Sequence, residues 1–124
     1  MRTLPFLLID AALVLVFAAL GNRAHDSGLS PADLISTAWP FLVGLALGWA
    51  ASGSWRRPHS LWPHGVILLA VTVVVGMLLR QLFTDGGAQF SFVLVATGTL
   101  CLLLLGRRLA ALITLRLLAH PTRA

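Results

Sequence analysis

Four long apolar runs separated by short polar segments constrain this 124-residue chain more than any other feature of its sequence. Each run has about 16 to 20 residues, close to the number that an α-helix needs to cross roughly 30 Å of hydrocarbon. None shows the two-residue alternation of a membrane barrel strand, and a helix satisfies its own backbone hydrogen bonds in lipid. We therefore expect an all-α integral membrane four-helix bundle with spans over residues 4–21, 34–52, 65–82 and 90–106.

The amino-acid composition also indicates a membrane protein. Hydrophobic residues make up 58% of the chain and charged residues only 10%, whereas soluble domains average about 25% charged residues. A soluble domain of this size could not hide so much apolar surface, because small domains have a high ratio of surface to volume. The lipid bilayer is therefore the expected solvent and partner of most side chains.

The connections between the runs are short, which favours antiparallel neighbouring helices. In the first connection Ser30 is expected to cap the second helix, with Pro31 as its first residue. Residues 1–108 then form one four-span domain, and residues 107–124 form a short cytoplasmic or interfacial helical tail. This tail is expected either to extend the fourth helix or to lie at the headgroups.

The arginines predict the orientation, because short cytoplasmic loops of membrane proteins gather Lys and Arg. All nine basic residues are Arg. One side of the membrane holds Arg2, Arg56, Arg57, Arg107, Arg108, Arg116 and Arg123, and the other holds Arg23 and Arg80. Both termini are therefore expected in the cytoplasm of a plasma-membrane protein. The net charge of +5 is explained by topology and phospholipid headgroups, and no nucleic-acid partner is expected.

Asp10 is the most unusual residue for its position, because it lies inside the first apolar run. A charged Asp at mid-membrane costs on the order of 2.5–3.5 kcal/mol, and such residues often mark ion or proton routes. We expect it to face the bundle and to form a polar layer with the hydroxyls of Thr72 and Thr99, with Thr97 slightly higher. The alternatives are a purely structural Asp10 near the interface and threonines that bond back to their own helices.

A second polar group is expected at the opposite end of the helices. Its members are Arg23, His25, Asp26, Asp33, Arg80 and Asp85. One histidine and three carboxylates are chemically suitable for a divalent cation, but their spacing has no tight ligand pattern, so exposed ion pairs are expected and no metal site. The sequence also lacks a nucleophile–base pair, a phosphate-binding loop and a clustered ligand set, so we expect neither an enzyme nor a cofactor.

The second run contains Gly44 and Gly48, a GxxxG pair. Small residues four apart open one helix face and let another backbone approach closely. The sequence leaves open whether the neighbouring helix belongs to this chain, to a second copy in a homodimer, or to another membrane protein.

Several short strings occur in a characteristic order and spacing. They include Gly21-Asn22-Arg23-Ala24-His25-Asp26, Thr37-Ala38-Trp39-Pro40-Phe41, Gly76-Met77-Leu78-Leu79-Arg80, Ser91-Phe92-Val93 and Leu105-Gly106-Arg107. On these strings the sequence resembles domain-of-unknown-function family 3054, a prokaryotic membrane family, over about residues 4–108. The resemblance implies four spans and supplies no activity, substrate or cofactor.

Two classes of function fit these features. In the first, the protein is a small transporter or channel with Asp10 as its intramembrane site. In the second, it is an accessory or structural subunit that packs on a membrane partner through its GxxxG face. Access of water to Asp10 distinguishes them, since a coupling acid must exchange protons.

Overall fold

The computed structural model describes residues 4–24, 28–84 and 89–119, and no strand occurs within these ranges. The helices are α1 (Leu4–Ala24), α2 (Pro31–Ser52), α3 (Val66–Phe83), α4 (Phe90–Leu100) and α5 (Gly106–Ala119). Four stretches are long and apolar enough to cross a membrane: Leu4–Arg23, Pro31–Ser52, Leu61–Phe83 and Phe90–Ala119. The expectation of an all-α, four-span membrane protein is thereby confirmed.

Local sequence sets both ends of α2. Ser30 accepts a hydrogen bond from the backbone of Asp33 at 3.1 Å, and the Asp33 carboxylate accepts one from the Ser30 backbone at 3.3 Å. Together they satisfy backbone donors that a helix start leaves free, and Pro31 fits the first helical position. At the other end, Gly53 adopts φ 74°, a left-handed conformation that favours glycine.

The pair Gly44 and Gly48 brings α2 against α3 within the chain. A Cβ atom at Gly44 would lie 2.6 Å from the Thr72 carbonyl oxygen, and one at Gly48 would lie 3.0 Å from the Leu68 carbonyl oxygen. Only a residue without a side chain permits so close an approach. The GxxxG face therefore packs on α3 within the chain.

The last helix extends beyond the expected end of the fourth span. A π-helical turn, Cys101–Leu105, joins α4 to α5, so the chain is helical from Phe90 to Ala119 over 30 residues. At 1.5 Å per residue this helix is about 45 Å long. Within the described residues, residues 107–119 continue the fourth helix, and Arg107 and Arg108 lie in its interior.

Candidate functional site

Asp10 is completely buried and makes a set of strong polar contacts. Its Oδ2 accepts hydrogen bonds from the indole Nε1 of Trp49 at 2.9 Å and from Nη2 of Arg108 at 2.6 Å. Its Oδ1 accepts a further bond from Nη1 of Arg108 at 3.3 Å. These bonds join the first, second and fourth spans around one carboxylate.

Arg107 completes the group from the other side of the carboxylate. Its Nε and Nη2 lie 3.1 Å and 3.0 Å from Oδ1 of Asp10. The same guanidinium reaches the connection between α2 and α3, where Nη1 contacts Nδ1 of His59 at 2.8 Å and Nη2 donates to the Pro58 carbonyl at 3.1 Å. The Arg107 side chain keeps 11% of its surface exposed. We call Asp10, Trp49, Arg107 and Arg108 the ion-pair centre.

The fold makes room for Arg108, which is fully buried. A Cβ atom at Gly65 would lie 3.2 Å from Cδ of Arg108, so glycine leaves space for the arginine stem. Nη1 of Arg108 also donates to the Leu104 carbonyl at 3.1 Å, one turn back on the same helix. Its Nε finds no acceptor among the residues that the structure describes.

The ion-pair centre carries more positive than negative charge, since two guanidinium groups face one carboxylate. His59 adds no positive charge in this geometry. A guanidinium can only donate, so Nδ1 of His59 must accept from Arg107, and a ring with an accepting nitrogen is neutral. Partial burial and the positive charges of Arg107 and Arg108 lower the pKa of His59 from its ordinary 6.5, and Asp10 opposes them.

We expect the folded protein to lose stability as the pH falls below 6.5, the ordinary pKa of His59. Because the pKa is lower in the folded state, the unfolded state binds more protons between the two values. The stability contributed by neutral His59 is fully present above pH 6.5 and is lost as the pH falls through the lower pKa of the folded state.

Thermal unfolding of the detergent-solubilised protein from about pH 8 to about pH 5 measures this effect. His59→Gln should flatten the pH dependence. His64→Gln is the matched control, because His64 lies in the neighbouring turn and contacts Ser60 instead of Arg107. An unchanged pH dependence in His59→Gln would show that another group is responsible.

The expected polar layer of Asp10 with Thr72, Thr97 and Thr99 does not form. The Thr72 hydroxyl is buried without a hydrogen-bond partner in the described part of the chain, beside Gly48. Thr97 and Thr99 are half-buried and take no part in the hydrogen bonds around Asp10. The cause is the register of the fourth span: because the helix continues to Ala119, Arg108 occupies the level assigned to Thr99, nine residues or about 13 Å away.

The polar group at the opposite end of the helices is assembled only in part by the described residues. Arg23 is exposed, Asp33 is engaged in the α2 cap, and the Arg80 guanidinium lies 4.0 Å from the centre of the Phe92 ring. His25, Asp26 and Asp85 lie outside the described residues. Buried Asn22, which the sequence did not single out, holds this end together by bonding Gly28, Asp33 and Thr37.

Sequence reasoning missed Trp49, Arg107 and Arg108 as neighbours of Asp10, and His59 as the neighbour of Arg107, because it assigned the paired arginines to topology. One feature could have identified them. Residues 100–115 form an apolar stretch whose charged residues are Arg107 and Arg108, and the sequence has only one acid inside an apolar run to pair with them.

Comparison with known proteins gives one match. The family model described as "Protein of unknown function (DUF3054)" matches residues 7–111, a range that includes every member of the ion-pair centre. No curated protein and no solved structure matches the chain.

Proposed function

The chain belongs to the DUF3054 family of proteins of unknown function, and from that premise we propose that it is a small transporter or channel whose polar site is the ion-pair centre. The observation that carries the proposal is the convergence of Asp10, Arg107 and Arg108 inside membrane-spanning helices. Charged groups buried in membrane proteins characteristically line substrate and ion pathways.

A purely structural role explains this cluster less well. Replacing a buried ion pair by apolar residues is often neutral or stabilising, because desolvation of the charges offsets their attraction. A chain selected only for a rigid bundle would not require a second, largely buried arginine beside the buried Arg108 for one carboxylate. Arg107 also connects buried Asp10 to the half-buried Pro58 and His59, which directly follow the exposed Arg57, and this supports a route between the centre and water.

The excess positive charge favours an anion as the solute. Of the acidic residues that the structure describes, Asp10 belongs to the centre and Asp33 is engaged in the cap of α2. Within residues 4–24, 28–84 and 89–119, no second acidic side chain therefore balances the two arginines around Asp10. Guanidinium groups bind carboxylates and phosphates through paired hydrogen bonds, so a small carboxylate or an inorganic anion fits the chemistry of the centre.

Anion efflux from proteoliposomes tests this proposal, with chloride and acetate as probes. Arg107→Gln removes the excess charge and leaves the 2.6 Å pair of Arg108 with Asp10, so the bundle should still fold. We expect efflux to fall roughly tenfold or more, the scale of one lost hydrogen bond to a charged group. Arg57→Gln, an exposed arginine in the same connection, should retain the wild-type rate. Equal rates in both variants, or no efflux above that of empty vesicles, would reject the proposal.

We also propose a plasma-membrane location with both termini in the cytoplasm, on the asymmetry of the arginines. Reporter fusions after Ala124 and within residues 85–87 should report opposite sides of the membrane. Signals from the same side would contradict this orientation.

The accessory-subunit alternative has lost its predicted docking face, because α3 covers Gly44 and Gly48 within the chain. Our proposal keeps the bilayer as partner and involves no nucleic acid, cofactor or enzymatic chemistry.

A further inference from the structure

The second half of α5 carries large apolar side chains that no other described helix covers. Their exposed fractions range from 37% at Leu112 to 76% at Leu118. The backbone of α5 approaches only the π-helical turns Leu61–Gly65 and Cys101–Leu105 among the described elements. The exposed members are Leu109, Leu112, Ile113, Leu115, Leu117 and Leu118, which we call the α5 collar.

The α5 collar surrounds the helix instead of forming one stripe. At 100° per residue, Leu109, Ile113 and Leu117 occupy one side, Leu118 projects from the opposite side, and the others lie between. A helix that is apolar all round is typical of a membrane or a buried core. A protein partner, including a second copy of this chain, would cover one face and leave the others in water, whereas lipid surrounds a helix completely.

The length of the last helix supports the same surroundings. Its 30 residues extend about 45 Å, which equals the thickness of a bilayer with both headgroup layers, about 40–45 Å. The end of α5 then reaches the headgroups, where the exposed Arg116 lies between Leu109, Leu112 and Ile113 on one shallow groove. A guanidinium at this depth is within reach of lipid phosphates.

We infer that residues 109–118 are immersed in the leaflet at the end of the bundle where α1 begins and α5 ends, and that Arg116 binds the phosphate of an anionic phospholipid. The charged residues of α5 are Arg107, Arg108 and Arg116, so this helix carries only positive charge. This charge complements an anionic headgroup and opposes a symmetric contact in which two copies of Arg116 would meet. The inference is independent of transport.

A single-cysteine protein tests it in vesicles. Cys101→Ser removes the chain's one cysteine, and Leu118→Cys provides a site for an environment-sensitive dye. In phosphatidylcholine vesicles that contain about one quarter phosphatidylglycerol, the dye emission should be blue-shifted, and spin-labelled phosphatidylglycerol should quench it roughly fivefold more strongly than spin-labelled phosphatidylcholine. Arg116→Gln should abolish the difference between the two lipids, and Arg57→Gln should keep it.

Each alternative gives a distinct result that would overturn the inference. Aqueous emission without quenching would place the collar outside the lipid. Equal quenching by both lipids in the protein that retains Arg116 would exclude anionic selectivity. Self-quenching that grows with the ratio of protein to lipid would show that a second copy covers the collar.

Discussion

Replacing Asp10 by asparagine is expected to destabilise the folded protein by about 3–5 kcal/mol, the range for a buried ion pair that loses one partner. An amide can still accept the hydrogen bond from Trp49, but it leaves the guanidinium groups of Arg107 and Arg108 without a counter-charge. If Asp10 bonded only to threonine hydroxyls, its replacement by asparagine would leave the stability of the folded protein nearly unchanged. Equilibrium unfolding of the purified protein in detergent measures the difference.

A second substitution separates the ion pair from general damage at this position. Adding Arg108→Gln to Asp10→Asn removes one positive charge together with the negative one. The ion-pair centre then has an excess of one positive charge, as in the wild type. We expect the double variant to be more stable than Asp10→Asn alone, with a coupling energy of about 0.5–3 kcal/mol. Asp33→Asn, in the cap of α2, is the matched acid control and should cost about 1 kcal/mol or less. A loss at Asp10 no larger than that at Asp33 would refute the importance of the centre.

Gly44→Ile is expected to cost about 3 kcal/mol or more, at or above the upper end of the range for overpacked cores. Even the Cβ atom would meet the carbonyl oxygen of Thr72 at 2.6 Å, and this backbone atom cannot rotate away. The helices α2 and α3 must separate to admit the side chain. Gly48→Ile should cost less, because its nearest backbone contact, the Leu68 carbonyl oxygen, is farther away at 3.0 Å, and the methyl group at 2.8 Å belongs to the flexible Leu68 side chain.

The control for both glycines is Ala46→Ile, since Ala46 is exposed between them on the same helix. Isoleucine there faces lipid and should change stability by about 0.5 kcal/mol or less. Unfolding in detergent, together with the elution volume of the folded protein, distinguishes loss of packing from loss of assembly. If isoleucine is tolerated equally at positions 44 and 46, the close contact between α2 and α3 is wrong.

The four spans and the cap of α2 were predictable because they depend on local features. Hydropathy over about 20 residues identifies a helix that can cross a bilayer, and Ser30-Pro31 is a local start for α2. The hydropathy pattern predicted the end of the fourth span less accurately. The doubled Arg107–Arg108 resembles a boundary, although the helix continues to Ala119.

The partners of Asp10 depended on the register between helices that are distant in the chain. Asp10 and Arg108 are separated by 98 positions in sequence, and a shift of one helical turn, about 5.4 Å, would have replaced one set of neighbours by another. Counting residues from the assumed end of the fourth span therefore selected Thr99 instead of Arg108. Counting residues along a helix also leaves out the length of the Arg108 side chain, which extends from its own helix to Asp10.

By itself the sequence determined the solvent of this protein, its four helices and an acid that must be kept away from lipid, because these follow from hydropathy and from the cost of an exposed charge. Only the tertiary structure decided which groups compensate that acid. It placed Trp49, Arg107 and Arg108 around Asp10, and it covered Gly44 and Gly48 with α3. Both outcomes depend on how helices slide and rotate against one another, which is fixed by side-chain packing across the whole bundle.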